Sequence, residues 1–433
     1  MEAFWIAWMV SARSALPEAL RFASSLVSRH LWGCELMVRR VSIFGSTGSI
    51  GRSAFDVIRH AMETGAAEFE VEALAAGQDA EKLADQARVL RPRIAVIADE
   101  SRLGELTARL AGTGIEVAAG AAALNEAAAR SCDRVLAAIV GAAGLESTLA
   151  AICAGNDVAI ANKESIVCGG PLMLQEAKKS GARVLPVDSE HSAIFQSLGD
   201  GKQLERLTIT ASGGPFRTWT LEQMERATPG QAAAHPVWSM GIKNSIDSAS
   251  LMNKALEFIE AAVLFDVPAS EIDVLVHPQS IIHGMAHFSD GSVIAQLGTP
   301  DMKTPIAYAL GWPDRIPTSV TRLNLAQISR LEFTEVDENR FASIRLARQA
   351  MNAGPGARVI LNCANEAAVS AFVAEKCGFL DIARAVEAAL ERFSSSNFAS
   401  SKCETLEEIA ELSRYGHFLA SDWLSNAPSR AGG

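Results

Sequence analysis

Short apolar runs alternate with amphipathic stretches over the first half of the chain. Six runs rich in β-branched and small apolar residues lie at 41–44, 69–74, 94–97, 135–140, 158–161 and 183–187. After the first run, Ala54, Val57, Ile58 and Ala61 recur at intervals of three and four, which predicts a helix with one buried face. The alternation is typical of βαβ units, so we expect a Rossmann-like α/β domain with a parallel sheet over residues 40–188.

The pattern changes after that region. Residues 189–311 combine strand-like runs at 206–210 and 292–297 with helices and long polar loops, and we expect an α+β catalytic domain there. Residues 312–334 contain prolines and show weak periodicity, which is typical of a linker. Apolar residues at helical spacing then predict a C-terminal helical bundle over residues 335–425.

The segment 1–39 differs from the rest of the chain. It is apolar at first, contains several arginines and few acids, and ends where Met37 leads into the first strand. We expect the true start at Met37 and full activity from a chain that begins there, with a targeting leader as the alternative. The apolar stretch 3–10 is much shorter than the ~20 residues that a membrane-spanning helix requires, so we expect no membrane partner.

The overall charge excludes one class of function. The chain has 433 residues, a formal net charge of -11 and a pI near 5.3. A general nucleic-acid binder needs an excess of Lys and Arg on some surface, whereas a small anionic substrate needs only a locally basic pocket. The seven cysteines are scattered and form no CxxC pair, which is typical of reduced thiols in a cytoplasmic protein.

A glycine-rich loop, residues 45–51, lies between the first predicted strand and the first predicted helix. Free backbone N–H groups and the helix dipole at such a position favour a pyrophosphate, although an ordinary glycine-rich turn is the alternative. The second strand ends at Gly77-Gln78 without the acidic residue that an NAD enzyme usually carries there. This favours NADP, but no Arg or Lys stands at that position and Asp79 is the next residue.

Polar residues follow two further strands of the predicted sheet. Lys163, within the Asn162–Glu164 segment, is either a contact for an anionic or hydroxylated substrate or a solvent-exposed lysine at the start of a helix. Asp188 and Glu190 follow the next strand, where side chains two residues apart point the same way. Two neighbouring carboxylates require a cation.

Residues 248–257 read as one helix in which Asn253 and Glu257 share a face. If Glu257 reaches Asp188 and Glu190, three carboxylates would suit Mg²⁺ or Mn²⁺, which prefer oxygen ligands. The alternative is that Glu257 only forms a helix-surface pair with Lys254.

Two loops have compositions that suit a substrate site. Residues 212–216 form a small-residue loop that allows close backbone contact with a phosphate. Residues 235–241 carry His235, Trp238 and a terminal glycine, which is the composition of a closing lid or of a turn anchored by a buried Trp. His277 and His283 lie near another apolar strand and are satisfied core histidines on the simplest interpretation.

Taken together, these motifs resemble one family. GSTGSIG, ANKES, LPVDSEH, SGGPF, HPVWSMG, DSASLMNKALEFIEA and VHPQSIIHGM occur in the order typical of 1-deoxy-D-xylulose 5-phosphate reductoisomerases, over about residues 40–425. The resemblance implies conversion of this sugar phosphate and NADPH to 2-C-methyl-D-erythritol 4-phosphate in isoprenoid synthesis, by a homodimer with Mg²⁺ or Mn²⁺ (Co²⁺ possible). Metal-stabilised oxyanions of a retro-aldol cleavage and re-addition would be followed by reduction.

The resemblance also implies roles for individual residues. The expected cofactor-binding residues are Thr47, Gly48, Ser49, Ile50, Gly77, Gln78, Asp79, Asn162, Glu164 and Gly241. The expected substrate-binding residues are Lys163, Ser189, Glu190, Ser212, His235, Trp238, Ser248, Asn253, Lys254 and Glu257, with Met240 beside Trp238. The expected metal ligands are Asp188, Glu190 and Glu257, and the expected catalytic residues are Lys163, Glu190 and His235.

Two other functions remain open at this point. A simple NADP oxidoreductase of the homoserine dehydrogenase kind would not need a three-carboxylate metal site. A non-catalytic NADP-binding sensor would lack one of the ligands. Both alternatives depend on where the acidic residues lie in the folded chain.

Overall fold

A computed structural model describes residues 38–141, 143–238 and 240–426. The expectation about the segment 1–39 therefore lies outside the described residues, except for Val38 and Arg39. These two residues already belong to the first strand, so the predicted domain boundary at residue 40 cuts into that strand. None of the described helices is long and apolar enough to cross a membrane.

The first sheet is parallel and has seven strands in the order β4-β3-β2-β1-β5-β6-β7. Six strands were expected, and the additional one is the edge strand β4, whose residues are only partly buried. The strand order reverses between β1 and β5, where open α/β sheets bind their ligands. The strands are β1 (Val38–Phe44), β2 (Glu68–Ala76), β3 (Ile94–Ile97), β4 (Glu116–Ala119), β5 (Arg134–Ala137), β6 (Val158–Ile160) and β7 (Val184–Pro186).

Helices connect these strands and cover both faces of the sheet. The helix predicted after the glycine loop is confirmed, since it buries Ala54, Val57, Ile58 and Ala61 on one face. The helices of this part are α1 (Ser49–Glu63), α2 (Ala80–Leu90), α3 (Leu103–Leu110), α4 (Gly120–Ala128), α5 (Ala143–Cys153) and α6 (Lys163–Ser180).

The second sheet has five strands in the order β11-β10-β8-β9-β12 and is mixed. Its central strand β8 runs parallel to β9 and antiparallel to β10. The last strand lies where the helical bundle was expected to begin, so that boundary is wrong and the bundle starts with the helix at Ser343. The strands are β8 (Leu204–Ala211), β9 (Ile272–Val276), β10 (Ile282–Phe288), β11 (Val293–Leu297) and β12 (Thr334–Glu335).

The single helix expected over residues 248–257 is in fact two helices. Leu251 has a left-handed backbone conformation with φ of 57°, which ends the hydrogen-bonding ladder of the first helix before the second begins. The helices of this middle part are α7 (Ser189–Ser197), α8 (Leu221–Glu225), α9 (Pro229–Ala233), α10 (Ile242–Ala249), α11 (Met252–Phe265), α12 (Lys303–Gly311) and α13 (Leu325–Ile328).

Four helices form the C-terminal bundle. Their apolar faces join one continuous core that also contains the buried side of α11 and one face of the first sheet. The bundle thereby packs against α11, a helix that carries polar residues into the centre of the molecule. The four helices are α14 (Ser343–Ala353), α15 (Pro355–Val373), α16 (Asp381–Ser394) and α17 (Leu406–Asn426).

Candidate active site

A cavity of about 320 Å³ lies between the carboxyl ends of the first sheet, the second sheet and the helices α10 and α11. This volume is at the lower end of what small-molecule sites have. Most of the residues expected to bind substrate or metal line it. They are Lys163, Asp188, Ser189, Glu190, Ser212, His235, Trp238, Ser248, Asn253, Lys254 and Glu257, together with Ser49 and Ile50 of the glycine loop.

Three carboxylates converge at one end of this cavity. Asp188 caps the N-terminus of α7, Glu190 lies in the first turn of that helix, and Glu257 projects from the second turn of α11. One oxygen atom from each of the three lies within 4.8 Å of the other two. Glu257 is 1% exposed, so it is not a residue of the helix surface.

Two lysines lie among the carboxylates. The Nζ atom of Lys163 is 2.6 Å from Asp188 Oδ2 and 2.8 Å from Glu257 Oε1. The Nζ atom of Lys254 is 2.8 Å from Glu190 Oε1 and also contacts Glu257. Burial by itself would lower the pKa of Lys163, but the carboxylates of Asp188 and Glu257 raise it well above its ordinary value. Lys163 is therefore a buried cation of the site and not a solvent-exposed lysine.

The donor atoms fit a hard divalent cation. All three candidate ligands are carboxylates, which Mg²⁺ and Mn²⁺ prefer over nitrogen and sulfur. They outnumber the two lysines, so the cluster has one uncompensated negative charge. Ser189 donates from Oγ to Glu190 Oε2 at 2.6 Å, and its backbone N–H donates to Asp188 Oδ1 at 3.0 Å. These bonds orient two of the carboxylates toward a common point.

The glycine loop presents a cradle for a phosphate group. Gly45 has φ of +88°, and a side chain on Gly51 would collide with the backbone oxygen of Gly45. Helix α1 begins at Ser49 without a side-chain cap, which leaves its first N–H groups free for an anion. Among the described residues, the buried Oγ atom of Ser46 has no hydrogen-bond partner. These features fit a bound dinucleotide.

Two other expected cofactor residues, Asn162 and Glu164, lie at the start of α6 and are held there by hydrogen bonds. Asn162 caps α6 by accepting from Ser165 N at 3.0 Å, and its Nδ2 donates to Ile139 O at 2.6 Å. Glu164 is buried, and its carboxylate accepts from Lys243 Nζ at 2.7 Å. Burial would raise the pKa of Glu164, but the charge of Lys243 lowers it, so Glu164 remains ionised.

The remaining expected cofactor residues lie on the surface outside the cavity. Gly77 and Gln78 are exposed at the end of β2, and Gly241 is exposed before α10. Asp79 caps α2, and its Oδ2 atom lies 2.7 Å from Lys82 Nζ. The negative charge next to Gln78 is therefore already neutralised by a lysine.

His235 and Ser212 form a pair in the cavity wall. His235 Nδ1 accepts from the backbone N–H groups of Val237 at 3.1 Å and Trp238 at 2.8 Å. These bonds place the ring proton on Nε2, which lies 3.1 Å from Ser212 Oγ. Partial burial lowers the pKa of His235, so the ring stays neutral. The loop 235–241 thus carries a neutral N–H donor toward the loop 212–216.

The residues after His235 cover the cavity. Trp238 and Met240 both line it, and the indole of Trp238 lies 6.3 Å from the ring of His283. His283 is buried, and burial lowers its pKa. It was interpreted as a core histidine, but it also contributes to the cavity wall.

Several other lining residues were not singled out in the sequence. They are Ser53, Thr210, Gly213, Asn244, Ser280, Pro300, Asp301 and Met302. Asn244 is four residues before Ser248 on α10, so the helical spacing contained a signal for it. Asp301 and Met302 belong to the loop before α12, and no local pattern connects that loop to the site.

An ion-pair and hydrogen-bond network ties α10, the helix after the loop 235–241, to α6 and to the bundle. Lys243 Nζ lies 2.7 Å from Glu164 Oε1 and 3.0 Å from Asp247 Oδ2. Asn365, from α15, donates to Asp247 Oδ1 at 2.8 Å. The helix α10 that follows the lid is therefore held on one side by α6 and on the other by the C-terminal bundle.

Comparison with known proteins identifies the family. Profiles of 1-deoxy-D-xylulose 5-phosphate reductoisomerase match residues 41–170, and profiles of its C-terminal regions match residues 184–265 and 297–416. Curated relatives of that name include one from Rhodospirillum centenum, 55% identical over 84% of this chain and 90% of its own length. Another, from Caulobacter vibrioides, is 54% identical over 91% of this chain and 98% of its own length.

Solved structures agree with the sequence relatives. The enzyme from Zymomonas mobilis in complex with NADPH superposes with a TM-score of 0.83 at 42% identity, over 90% of this chain and 100% of that one. A DOX-P reductoisomerase in complex with NADPH, fosmidomycin and magnesium gives a TM-score of 0.83 at 40% identity, over 89% of this chain and 98% of that one. This chain belongs to the 1-deoxy-D-xylulose 5-phosphate reductoisomerase family.

Proposed function

We propose that the chain converts 1-deoxy-D-xylulose 5-phosphate and NADPH to 2-C-methyl-D-erythritol 4-phosphate with the help of a divalent cation. The observation that carries this proposal is the convergence of Asp188, Glu190 and Glu257 in a cavity that also borders the glycine loop. A simple NADP oxidoreductase of the homoserine dehydrogenase kind would have no use for this cluster. None of the three expected ligands is absent, which also argues against a non-catalytic sensor.

The cavity offers separate ends to the two halves of the substrate. The phosphate would lie beside the loop 212–216, where Ser212 and Ser248 offer neutral donors and His235 offers Nε2–H. Asn253 lies between this position and the carboxylates, because its amide is hydrogen-bonded to Lys163 and Glu257. The carbonyl and hydroxyl oxygens would lie at the carboxylate end. This arrangement leaves room for the nicotinamide on the side of the cavity that Ser49 and Ile50 line.

The bound groups supply the chemistry that side chains lack: the dication stabilises oxyanions during carbon–carbon bond rearrangement, and NADPH donates hydride. Lys163 and Lys254 hold the carboxylates in place and add positive charge beside the reacting oxygens. Glu190, hydrogen-bonded to Ser189, is positioned to orient a substrate hydroxyl. Trp238 covers the cavity and excludes water, which protects a fragmented intermediate state from side reactions.

We infer a division of tasks among three regions. Residues 40–188, with the two preceding strand residues, bind the dinucleotide. Residues 189–311 bind substrate and metal, and residues 312–334 connect them to the helices that end at 425. A network joins the three regions, because Lys243 and Asp247 of the second region contact Glu164 of the first and Asn365 of the third.

The direct test follows NADPH absorbance with 1-deoxy-D-xylulose 5-phosphate as substrate, with and without a chelator. We expect oxidation of NADPH that the chelator abolishes and that Mg²⁺ or Mn²⁺ restores, with 2-C-methyl-D-erythritol 4-phosphate as the product. NADPH oxidation that is insensitive to the chelator would favour a simple oxidoreductase. Absence of turnover with intact NADPH binding would favour the sensor.

We also propose a homodimer that forms through the outer edge of the second sheet. Strand β11 lies at that edge, and Val293, Ile294 and Leu297 are 51%, 48% and 36% exposed. An exposed apolar edge strand is a template for pairing with another chain. Ile294→Lys should produce a monomer in light scattering, whereas Val89→Lys, an equally exposed apolar position on α2, should not. A wild-type monomer at micromolar concentration would refute the proposal.

We place the enzyme in the cytoplasm. Six cysteines among the described residues carry free thiols, and the cavity needs NADPH, which supports a reducing compartment. Cell fractionation with an antibody to the chain tests this placement, and recovery of the protein outside the cytosolic fraction would contradict it.

A further inference from the structure

A second group of metal-binding side chains lies in the C-terminal bundle, away from the active-site cavity. Cys363 and Glu366 are one turn apart on α15, and His417 faces them from α17. One ligand atom from each lies within 4.8 Å of the other two. The Nε2 atom of His417 is 3.5 Å from Glu366 Oε2. A further buried thiol, that of Cys168 on α6, lies next to Cys363.

These side chains differ chemically from the ligands of the active site. The active site offers only carboxylate oxygens, whereas this group offers sulfur, nitrogen and oxygen together. Thiolate and imidazole ligands select Zn²⁺ and similar ions over Mg²⁺. A tetrahedral zinc ion with bonds of about 2.0–2.3 Å separates its ligand atoms by about 3.3–3.8 Å. The His417–Glu366 distance of 3.5 Å is already in that range, and Cys363, which lies within 4.8 Å of both, needs to approach them by at most about 1.5 Å.

Neighbouring residues orient one of these ligands, and one ligand is accessible to solvent. Asn362 donates from Nδ2 to Glu366 Oε1 at 3.2 Å, which orients that carboxylate. Cys363 is 1% exposed, but the side chain of His417 is 46% exposed, so an ion can enter from the side of α17.

We propose that Cys363, Glu366 and His417, with Cys168 as the fourth ligand, form a Zn²⁺ site that is independent of the catalytic metal. Binding releases the two thiol protons and forms two sulfur–metal bonds. The ion ties α6 to α15 and α17. Because α6 begins at Lys163, the site would anchor the helix that carries this active-site cation.

Cobalt provides a probe that separates the two metal sites. Co²⁺ bound by thiolate gives a sulfur-to-metal charge-transfer absorbance in the near ultraviolet, and Co²⁺ bound by carboxylates alone does not. The reduced full-length chain is titrated with Co²⁺ in the presence of excess Mg²⁺, which keeps the oxygen site filled. We expect this absorbance to saturate at one equivalent of Co²⁺ per chain and to disappear when Zn²⁺ is added.

Single substitutions test which side chains bind the metal ion. Cys363→Ser should abolish the absorbance, Cys168→Ser should remove about half of it, and Cys153→Ser, an exposed thiol on α5, should leave it unchanged. His417→Gln changes a half-exposed side chain, so it tests the site even where a buried cysteine variant fails to fold. It should weaken Co²⁺ binding at least tenfold. Absence of the absorbance in the wild type, or an unchanged spectrum in Cys168→Ser or His417→Gln, would overturn the proposal.

Discussion

Glu257→Gln tests the three-carboxylate site directly. The substitution keeps the size of the side chain and removes one of three negative charges whose oxygen atoms lie within 4.8 Å of one another. Lys163 keeps Asp188 at 2.6 Å and Lys254 keeps Glu190 at 2.8 Å, so we expect the fold to persist.

The size of the effect follows from the charges in the cluster. Three carboxylates and two lysines leave one negative charge for a dication, and Glu257→Gln reduces that excess to zero while removing a ligand. The loss of one principal electrostatic stabiliser costs about 2.7–4 kcal/mol, which corresponds to a fall of about 100- to 1,000-fold in turnover. Excess Mg²⁺ should restore part of the loss. NADPH affinity should change little, because the glycine loop is untouched.

The assay measures NADPH oxidation as a function of Mg²⁺ concentration, with NADPH binding measured separately by fluorescence. Glu260→Gln is the matched control, since Glu260 lies one turn further along α11 and is 1% exposed. Burial and the charge of Asp188 raise the pKa of Glu260 well above its ordinary value and so disfavour its charged form, and we therefore expect the uncharged amide to be tolerated. Near-normal, chelator-sensitive activity in Glu257→Gln would show that Glu257 only pairs with Lys254 and that the proposed ligand set is wrong.

Three further predictions concern the lid, the cofactor and pH. His235→Ala and Trp238→Ala should each lower kcat by tenfold or more without lowering the melting temperature, because both residues belong to a covering loop. Unchanged kinetics would show that the loop has only a structural role. NADPH should exceed NADH in kcat/KM by at least about tenfold, since Asp79 is paired with Lys82 and does not repel a 2′-phosphate; equal values would refute this. Burial holds the pKa of His283 below 6.5, so the unfolded chain binds more protons and the free energy of unfolding should decline as the pH falls below 6.5. His283→Asn should make the melting temperature decline less over that range, and an identical decline would contradict the assignment.

Local periodicity predicted the elements whose burial is regular. The face of α1 was correct because Ala54, Val57, Ile58 and Ala61 are all excluded from water. Strand β4 was missed because its short sequence is only partly buried at the edge of the sheet. The break at Leu251 was missed as well, since the left-handed conformation there occurs without the glycine or asparagine that usually marks it.

Local sequence patterns also predicted only part of the candidate site. The spacing of Asp188 and Glu190 after a strand predicted two neighbouring carboxylates, and their oxygen atoms do lie close together. The reasoning assumed an extended chain, whereas Asp188 caps a helix and Glu190 lies in its first turn. Glu257 could be joined to them only through the resemblance to a family, since the packing of α11 against α6 decides where it points. The covering residues Asp301 and Met302 left no local signal, because they reach the cavity through the position of a loop between two elements.

Helix α12 has a consequence for how the chain folds during synthesis. Although it follows four of the five strands of the second sheet, its Ile306 and Leu310 are fully buried in the core formed by α1 and one face of the first sheet. The buried guanidinium of Arg134 donates to Trp312 O at 2.9 Å, just after this helix. A ribosome that has made only the seven parallel strands has therefore exposed an uncovered apolar face, which stays open until residues 303–312 emerge. The nucleotide-binding half should acquire its native stability late, and the nascent chain is a natural client for chaperones during that interval.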